Sequence, residues 1–184
     1  PTRTPVEILI NSGGNRYTDI AGRNWQRDNN FIGGNIMLSR RFVVEDSAMP
    51  GIYISSRIGM SGYNVPIVNG RYNVVLRFAE IDPAITAANQ RVFTSTVEGT
   101  ITTPIDIFTE AGGVKKPLRK SFIVNISDGV LNIEFTPSVG QPLISGIEIN
   151  PIKQTSIVTG YSEIRLTGQA NEFDVGTYET SVLG

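Results

Sequence analysis

The pattern that most constrains this chain is an alternation of apolar and polar residues, clearest between Gly70 and Glu80. One face of that run carries Tyr72, Val74, Leu76 and Phe78, and the other carries Arg71, Asn73, Val75 and Arg77. Successive side chains of a β-strand point to opposite faces, so a period of two is typical of an extended chain with one face in the core. The run therefore predicts a half-buried strand.

Short apolar runs bounded by turn residues recur along the rest of the chain. They predict strands at Val6–Ile10, Gly51–Ser55, Arg91–Val97, Thr100–Thr103, Ser121–Ile126, Val130–Phe135 and Ile144–Ile149. The Asp128-Gly129 pair predicts a hairpin between the runs that flank it, because a tight primed turn needs residues that tolerate positive φ. Only Ala84–Gln90 and Asp106–Ala111 have a helix-like composition, and both are short.

Strands spaced about 8–12 residues apart favour an all-β fold over a parallel α/β sheet, which would need long crossover helices. The 19 glycines and 10 prolines fit many brief strands joined by turns. We therefore predict a two-sheet antiparallel jelly-roll β-sandwich. A chain of 184 residues fits one such domain, which we place at residues 1–152.

The composition changes after Pro151. Residues 153–184 are rich in Thr, Ser, Gly and Glu, with weak alternation at Ile164 and Leu166 and again at Phe173 and Val175. An isolated strand pair is only marginally stable, and an open edge invites pairing. We expect a strand-like extension, either an appended strand pair or a connector that is completed by a neighbouring domain or subunit.

The chain has neither cysteine nor histidine. Disulfides, thiolate nucleophiles, histidine bases and the usual zinc and haem ligands are thereby excluded. A glycosidase needs only two carboxylates, roughly 5–9.5 Å apart, but no spacing in the sequence singles out a pair. We expect a protein that is not an enzyme and has no cofactor, with a structural Ca²⁺ ion held by loop oxygens as the one metal left open.

The charge balance argues against two classes of partner. The 16 Lys and Arg residues against 17 Asp and Glu residues give a net charge of -1, so no overall positive field draws the chain to nucleic acid or anionic lipid. No run of about 20 apolar residues is present that could span a membrane. Pro1 opens the chain without a charged-then-apolar leader, as expected of a processed product or an excerpt. We expect neither nucleic-acid binding nor membrane insertion.

An ordered set of motifs runs through most of the chain. It comprises Ile10-Asn11-Ser12-Gly13-Gly14, Gly22-x-x-Trp25-x-x-Asp28, Tyr53-Ile54-Ser55-Ser56-Arg57, Gly62-Tyr63-Asn64-Val65-Pro66, Leu76-Arg77-Phe78-Ala79-Glu80, Asp128-Gly129-Val130-Leu131 and Pro142–Glu148. From about Glu7 to Asn150 this order resembles the malectin-like domains. The resemblance implies a jelly-roll β-sandwich that serves as a non-catalytic carbohydrate-binding module of an extracellular or cell- or particle-surface protein.

The family's sugar contacts transfer only in part. Two adjacent aromatic residues that follow the Ala-Glu motif of the family match Asp82 and Pro83, and a further aromatic matches Ile58. The family's tyrosine before an early glycine falls near Phe31–Gly34, and its acidic contact near the last strand matches Gly140 or Gln141. Arg57, Tyr63 and Asn64 belong to motifs that flank loops near the expected ligand face. The candidates for carbohydrate contacts are therefore Arg57, Tyr63, Asn64, Asp82 and Gln141.

Arg57 and three polar or aromatic residues outside the candidate set have a structural interpretation. Arg57 carries a fork of five donors that could pin loop carbonyls instead of a ligand. Trp25 could pack in the core rather than stack on a sugar, and Asp19 could close an Asx turn. Glu80 ends a strand that alternates, so we expect a buried, hydrogen-bonded carboxylate that holds a loop.

Two functions remain open for a chain with these motifs and this composition. The first is a carbohydrate-binding module of a larger extracellular protein, with a glycan or polysaccharide as partner. The second is a structural, adhesion or assembly domain of a surface filament, phage particle or adhesin, without sugar binding. Residues 153–184 would then contact neighbouring domains or subunits.

Overall fold

A computed structural model describes residues 4–39 and 50–153 of the chain. Its first strands are β1 Ile8–Asn11, β2 Tyr17–Thr18, β3 Asn24–Arg27, β4 Phe31–Leu38, β5 Ser55–Pro66 and β6 Gly70–Ala79. The later strands are β7 Val92–Val97, β8 Thr100–Ile101, β9 Pro117–Ile126, β10 Val130–Val139, β11 Leu143–Ile144 and β12 Gly146–Pro151. A 3-10 helix, Pro50–Tyr53, precedes β5, and the helix α1, Ile107–Ala111, lies between β8 and β9.

The strands form two six-stranded sheets. The order in sheet I is β2-β3-β1-β12-β6-β9, and in sheet II it is β11-β5-β10-β7-β8, with β4 on the other edge of β5. Every described pair of strands is antiparallel except β1 with β3. The predicted two-sheet antiparallel sandwich is thus confirmed, whereas its jelly-roll connectivity stays a prediction.

The core lies between the inner faces of the two sheets. The apolar face predicted for β6 is fully buried, at 0% exposure for Tyr72, Val74, Leu76 and Phe78. Phe78 of sheet I meets Phe93 of sheet II with ring centroids 5.8 Å apart, and Phe93 meets Phe135 at 6.2 Å. Burying a large apolar side chain stabilises a fold by about 1.5–3 kcal/mol, so this face fixes the position of β6 and of the loop that follows it.

The predicted hairpin at Asp128-Gly129 is wrong. The strands it joins lie in different sheets, because β9 pairs with β6 and β10 pairs with β5 and β7. The local turn is present, since the Asp128 carboxylate accepts a bond from the Val130 amide at 3.1 Å. Both flanking runs need the core, and Phe122 and Ile133 are both buried. The turn therefore carries the chain across the core from sheet I to sheet II.

The strand predicted at Gly51–Ser55 is replaced by the 3-10 helix, and β5 starts only at Ser55. Ile52 and Tyr53 are adjacent, yet both are buried. A strand would send neighbouring side chains to opposite faces, so one turn of helix is the conformation that places both in the apolar layer.

Of the two segments with a helix-like composition, one forms a helix and the other does not. Asp106 accepts a bond from the Thr109 amide and caps α1, as the composition of Asp106–Ala111 indicates. Ala84–Gln90 forms turns, because the Gln90 side chain accepts bonds from the Thr86 and Ala87 amides at 2.7 and 3.0 Å. Side chains that bond nearby amides compete with helix formation.

Of the extension predicted at residues 153–184, all but Lys153 lies outside the described residues. The strand alternation proposed around Ile164 and Phe173 falls in that part. Within the described residues, neither helix is long or apolar enough to cross a membrane.

The loop after β1 lies directly against β5. Gly13 has a φ of 72°, and a Cβ added to it would come within 2.3 Å of the Ser56 carbonyl oxygen. The Gly13 amide also donates to the Asp28 carboxylate at 2.6 Å. Gly22 has a similar φ of 78°, but a Cβ there would have no neighbour within 4 Å.

These two glycines allow a matched test of the close approach. Gly22→Ala should lower the free energy of unfolding by about 1 kcal/mol, the cost of a positive φ. Gly13→Ala should cost about 3 kcal/mol or more, because the same φ is combined with a clash against backbone. Urea unfolding of both variants measures the difference, and equal losses would show that the contact with Ser56 carries no weight.

Candidate functional site

Three of the five candidate residues lie along β5. Tyr63 is fully buried, and its hydroxyl donates to Asp28 at 3.1 Å. The Arg57 Nε donates to the same carboxylate at 2.6 Å. Asn64 is exposed beside Tyr63, with its backbone amide bonded to the Asn30 carbonyl at 2.9 Å. Arg57 and Tyr63 therefore converge on Asp28.

Arg57 also fastens the edge of sheet II. Its Nη1 donates to the carbonyls of Gly33 and Gly34 at 3.2 and 3.1 Å, and the guanidinium lies 3.3 Å from the centroid of the Phe31 ring. A cation over a ring face adds to these bonds. Arg57 thus makes the contacts of its structural alternative and positions β4, and its contact with a carbohydrate stays a prediction.

Tyr63 is equally committed to the interior. Burial raises the pKa of Tyr63 well above its ordinary value, and the negative charge of Asp28 beside it acts in the same direction. The hydroxyl therefore stays protonated and serves as a donor to Asp28.

The other two candidates, Asp82 and Gln141, are joined by a residue that the sequence did not single out. Arg91 is buried, and its Nη2 donates to Asp82 at 2.9 Å while its Nη1 donates to the backbone carbonyl of Gln141. Its Nε donates to Glu80 at 2.8 Å. One guanidinium thus ties together the end of β6, the loop after it and the loop before β11.

Glu80 is the fully buried acid of this group. Besides Arg91 it binds the Asp82 amide at 3.0 Å, and its backbone carbonyl accepts a bond from the Lys115 amide at 2.8 Å. This confirms the expected carboxylate that holds a loop. Burial raises the pKa of Glu80, and the charge of Arg91 opposes that shift only in part.

A cleft opens beside the loop that follows β6. It has a volume of about 480 Å³ and is lined by Leu38, Ser39, Glu80, Ile81, Asp82, Pro83, Ile85, Thr86, Phe108, Val114 and Lys115. Asp82 and Pro83, the positions that match family sugar contacts, form part of its wall, whereas Gln141 does not. The Gln141 side chain lies instead near Gly59 of β5, 3.2 Å from the place that a Cβ on Gly59 would take.

Phe108 is the aromatic side chain of this cleft, and it was not among the residues singled out from the sequence. In α1 its neighbour Ile107 is fully buried in the core, whereas Phe108 is only half-buried. Adjacent residues of a helix point about 100° apart, so a short helix with one core position turns its next apolar residue toward the surface. An apolar residue beside Ile107 that has no place in the core was the signal in the sequence that could have identified Phe108.

Trp25 and Asp19 take their structural alternatives. Trp25 is 1% exposed, and its indole nitrogen donates to Asp19 at 3.1 Å. Asp19 also accepts bonds from the amides of Ala21 and Arg23, which closes the predicted Asx turn. Burial alone would raise the pKa of Asp19, but the bonds from Trp25 and Arg23 prevail and lower it.

The described acidic side chains form no cluster of metal-binding size. Within residues 4–39 and 50–153, no group of three or more acidic side chains is placed to hold a metal ion. The structural Ca²⁺ ion considered from the sequence therefore stays a hypothesis to be tested by titration.

The fold and this cleft define a β-sandwich domain with a ligand-sized opening at its loop end. The chain matches the family model of the Malectin domain over residues 6–147, and it belongs to that family. The order of motifs in the sequence had indicated this membership, and the domain is of a carbohydrate-binding type.

Individual relatives differ in kind. Kinesin-like protein KIN-14R of Arabidopsis thaliana is 29% identical over 178 residues, which cover 94% of this chain and 16% of that protein. The plant receptor-like kinase FER superposes with a TM-score of 0.72 at 21% identity, over 80% of this chain and 50% of that one. A beta-glucuronidase of Bacteroides uniformis gives 0.71 at 20% identity, over 80% of this chain and 18% of the enzyme. The two structures show the shared fold alone.

Replacing Arg91 tests how the cleft is held together. Arg91→Met should lower the free energy of unfolding by about 3–5 kcal/mol, because it leaves Glu80 buried without its partner. Adding Glu80→Gln should restore part of the loss, since the lone buried charge is the costly species.

Because burial raises the pKa of Glu80, protonation of Glu80 at lower pH should also reduce the loss of stability in Arg91→Met. Urea unfolding at neutral and acid pH measures both effects, and a double variant less stable than Arg91→Met at every pH would contradict this account.

Proposed function

We propose that this domain is a non-catalytic carbohydrate-binding module whose ligand lies in the cleft beside Phe108. The observation that carries the proposal is the pairing of a ring with polar groups in one opening at a position where the family binds sugar. A pyranose presents a patch of C–H groups that stacks on an aromatic face, and hydroxyls that need directional partners. Phe108 and Ile85 supply the apolar wall, and Asp82 and Thr86 supply the polar one.

Phe108 takes the place of the aromatic pair that the family has at the positions of Asp82 and Pro83. Phe108 reaches the same space from α1 rather than from the loop after β6. The glycan would therefore stack on a wall of the cleft different from the family's. We infer that this chain binds a sugar in the family's location but with its own orientation.

The absence of catalysis is part of the proposal. Of the two carboxylates in the cleft wall, Glu80 is fully buried, and both are bound by the single guanidinium of Arg91. A glycosidase needs one free acid and one free base or nucleophile facing the scissile bond. The arrangement of Glu80 and Asp82 supports a binding site instead.

We further propose that the domain works within a larger protein at a cell or particle surface. FER is a receptor-like kinase in which the matching segment makes up half of the crystallised chain. A binding module presented outside the cell would meet glycans directly.

The alternative function is assembly without sugar binding, and one observation favours it. Among the described residues, β4 pairs only with β5, and it carries exposed Ile32, Ile36 and Leu38. An edge strand with exposed apolar side chains is a template for association. Sedimentation of the protein and of Ile36→Lys, with and without residues 154–184, separates this function from glycan binding.

Phe108→Ala should weaken binding of a glycan identified on an array by about tenfold, because it removes the stacking surface. The matched control is Ile123→Ala, which removes an apolar side chain that is 54% exposed on β9 and outside the cleft. Isothermal titration of both variants, with Ca²⁺ and with a chelator, measures the effect and tests the calcium hypothesis.

An equal loss in both variants, or none in Phe108→Ala, would move the site away from the cleft. A folded protein that binds no glycan but self-associates through β4 would favour the assembly function instead.

A further inference from the structure

The cleft beside Phe108 is lined mainly by apolar side chains. Of the eleven described residues that line it, six are apolar, namely Leu38, Ile81, Pro83, Ile85, Phe108 and Val114. Leu38 and Val114 are 65% and 42% exposed, so two large apolar side chains face solvent in one concave opening. Apolar surface gathered in a cleft is typical of a binding site. A ligand of this cleft must therefore cover apolar wall as well as polar wall.

The acids of the cleft already have partners. Glu80 accepts a bond from the Asp82 amide at 3.0 Å and another from Arg91 at 2.8 Å, through different oxygens. Asp82 accepts bonds from the Ala84 amide and from Arg91, both at 2.9 Å and again through different oxygens. All four carboxylate oxygens thus accept one bond within the protein, and only part of their capacity is left for a ligand.

The apolar wall that carries Val114 is fixed before any ligand binds. The amide of the next residue, Lys115, donates to the backbone carbonyl of Glu80 at 2.8 Å, which ties this segment to the end of β6. Lys115 has a φ of 57°. A residue with a Cβ adopts a positive φ only where its surroundings hold it there. The segment after α1 therefore presents Val114 in one place.

A sugar that bears an apolar substituent matches both parts of this lining. A hydroxyl placed against Ile81 or Val114 would lose water without gaining a bond, which costs binding free energy. An apolar group placed there instead removes apolar surface of both partners from water. The sugar ring can at the same time stack on Phe108 and bond to Asp82 and Thr86.

We propose that the cleft selects a saccharide that carries an apolar substituent, held as an aglycone on the anomeric carbon or as an acyl ester on a hydroxyl. The sugar ring lies against Phe108 with hydroxyls toward Asp82 and Thr86, and the substituent lies against Ile81 and Val114. This inference rests on the proposed function and adds to it the class of glycan that the site selects.

The test uses the full chain and four sugars, which are glucose, galactose, mannose and N-acetylglucosamine. Each sugar is offered as the phenyl glycoside, as the methyl glycoside, and as the methyl glycoside esterified with butyrate. Isothermal titration should give, for at least one sugar, an affinity about tenfold or more higher for a substituted form than for the plain methyl glycoside. The form that binds more tightly shows whether the substituent is an aglycone or an ester.

Val114→Asn should remove most of this preference, because it replaces part of the apolar wall with a polar group. It should leave the affinity for the plain methyl glycoside within about twofold. The matched control is Val139→Asn, since Val139 is 46% exposed on β10 and lies outside the cleft. Both valines are exposed, so neither substitution opens the core.

Equal affinities for the three forms of every sugar would overturn this inference. So would a preference that Val114→Asn leaves intact or that Val139→Asn removes. If no substituted form binds, the inference fails, and titration with a glycan selected on an array then decides separately whether the proposed function holds. Phenol that binds as tightly as the phenyl glycosides would show that the sugar adds nothing, and it would overturn both.

Discussion

The buried guanidinium of Arg91 is the interaction on which the candidate cleft depends. It is bonded at once to Glu80 and Asp82 in the loop after β6 and to the backbone of Gln141 before β11, two segments that no described strand pairing connects. A buried arginine is tolerated only when its donors are satisfied. The requirement therefore runs in both directions: the loops satisfy the charge, and the charge fixes where the loops lie.

The same physical solution recurs at the other loops of the sandwich. Asp28 gathers Arg57, Tyr63 and the Gly13 amide, and Asp19 gathers Arg23 and Trp25. Strand ladders end where the sheets end, and the backbone N–H and C=O groups of the loops beyond them must find other partners. Buried carboxylates accept from those N–H groups, and buried arginines donate to those carbonyls. The loops of the sandwich are thus held by buried polar bonds, which is what a preformed binding surface requires.

Features that depend on residues close together in the sequence could be predicted from it, whereas contacts between distant residues could not. The alternation at Tyr72–Phe78 depends on one strand and one core, so it predicted β6 correctly. The Asp128-Gly129 turn looks the same locally whether the chain doubles back in one sheet or crosses to the other, so the hairpin prediction was wrong. Motif order identified the family, and Asp82 came from it. Phe108 and Arg91 act through partners distant in sequence, and no local pattern marks where such residues meet.

The central claim is that the cleft beside Phe108 binds a glycan, and the most direct measurement is an NMR titration of the full chain with a glycan selected on an array. We predict amide shifts that are concentrated in residues 81–86 and around Phe108, with the strands of the core unaffected. Shifts confined to β4, or no shifts from a folded protein at millimolar glycan, would contradict it.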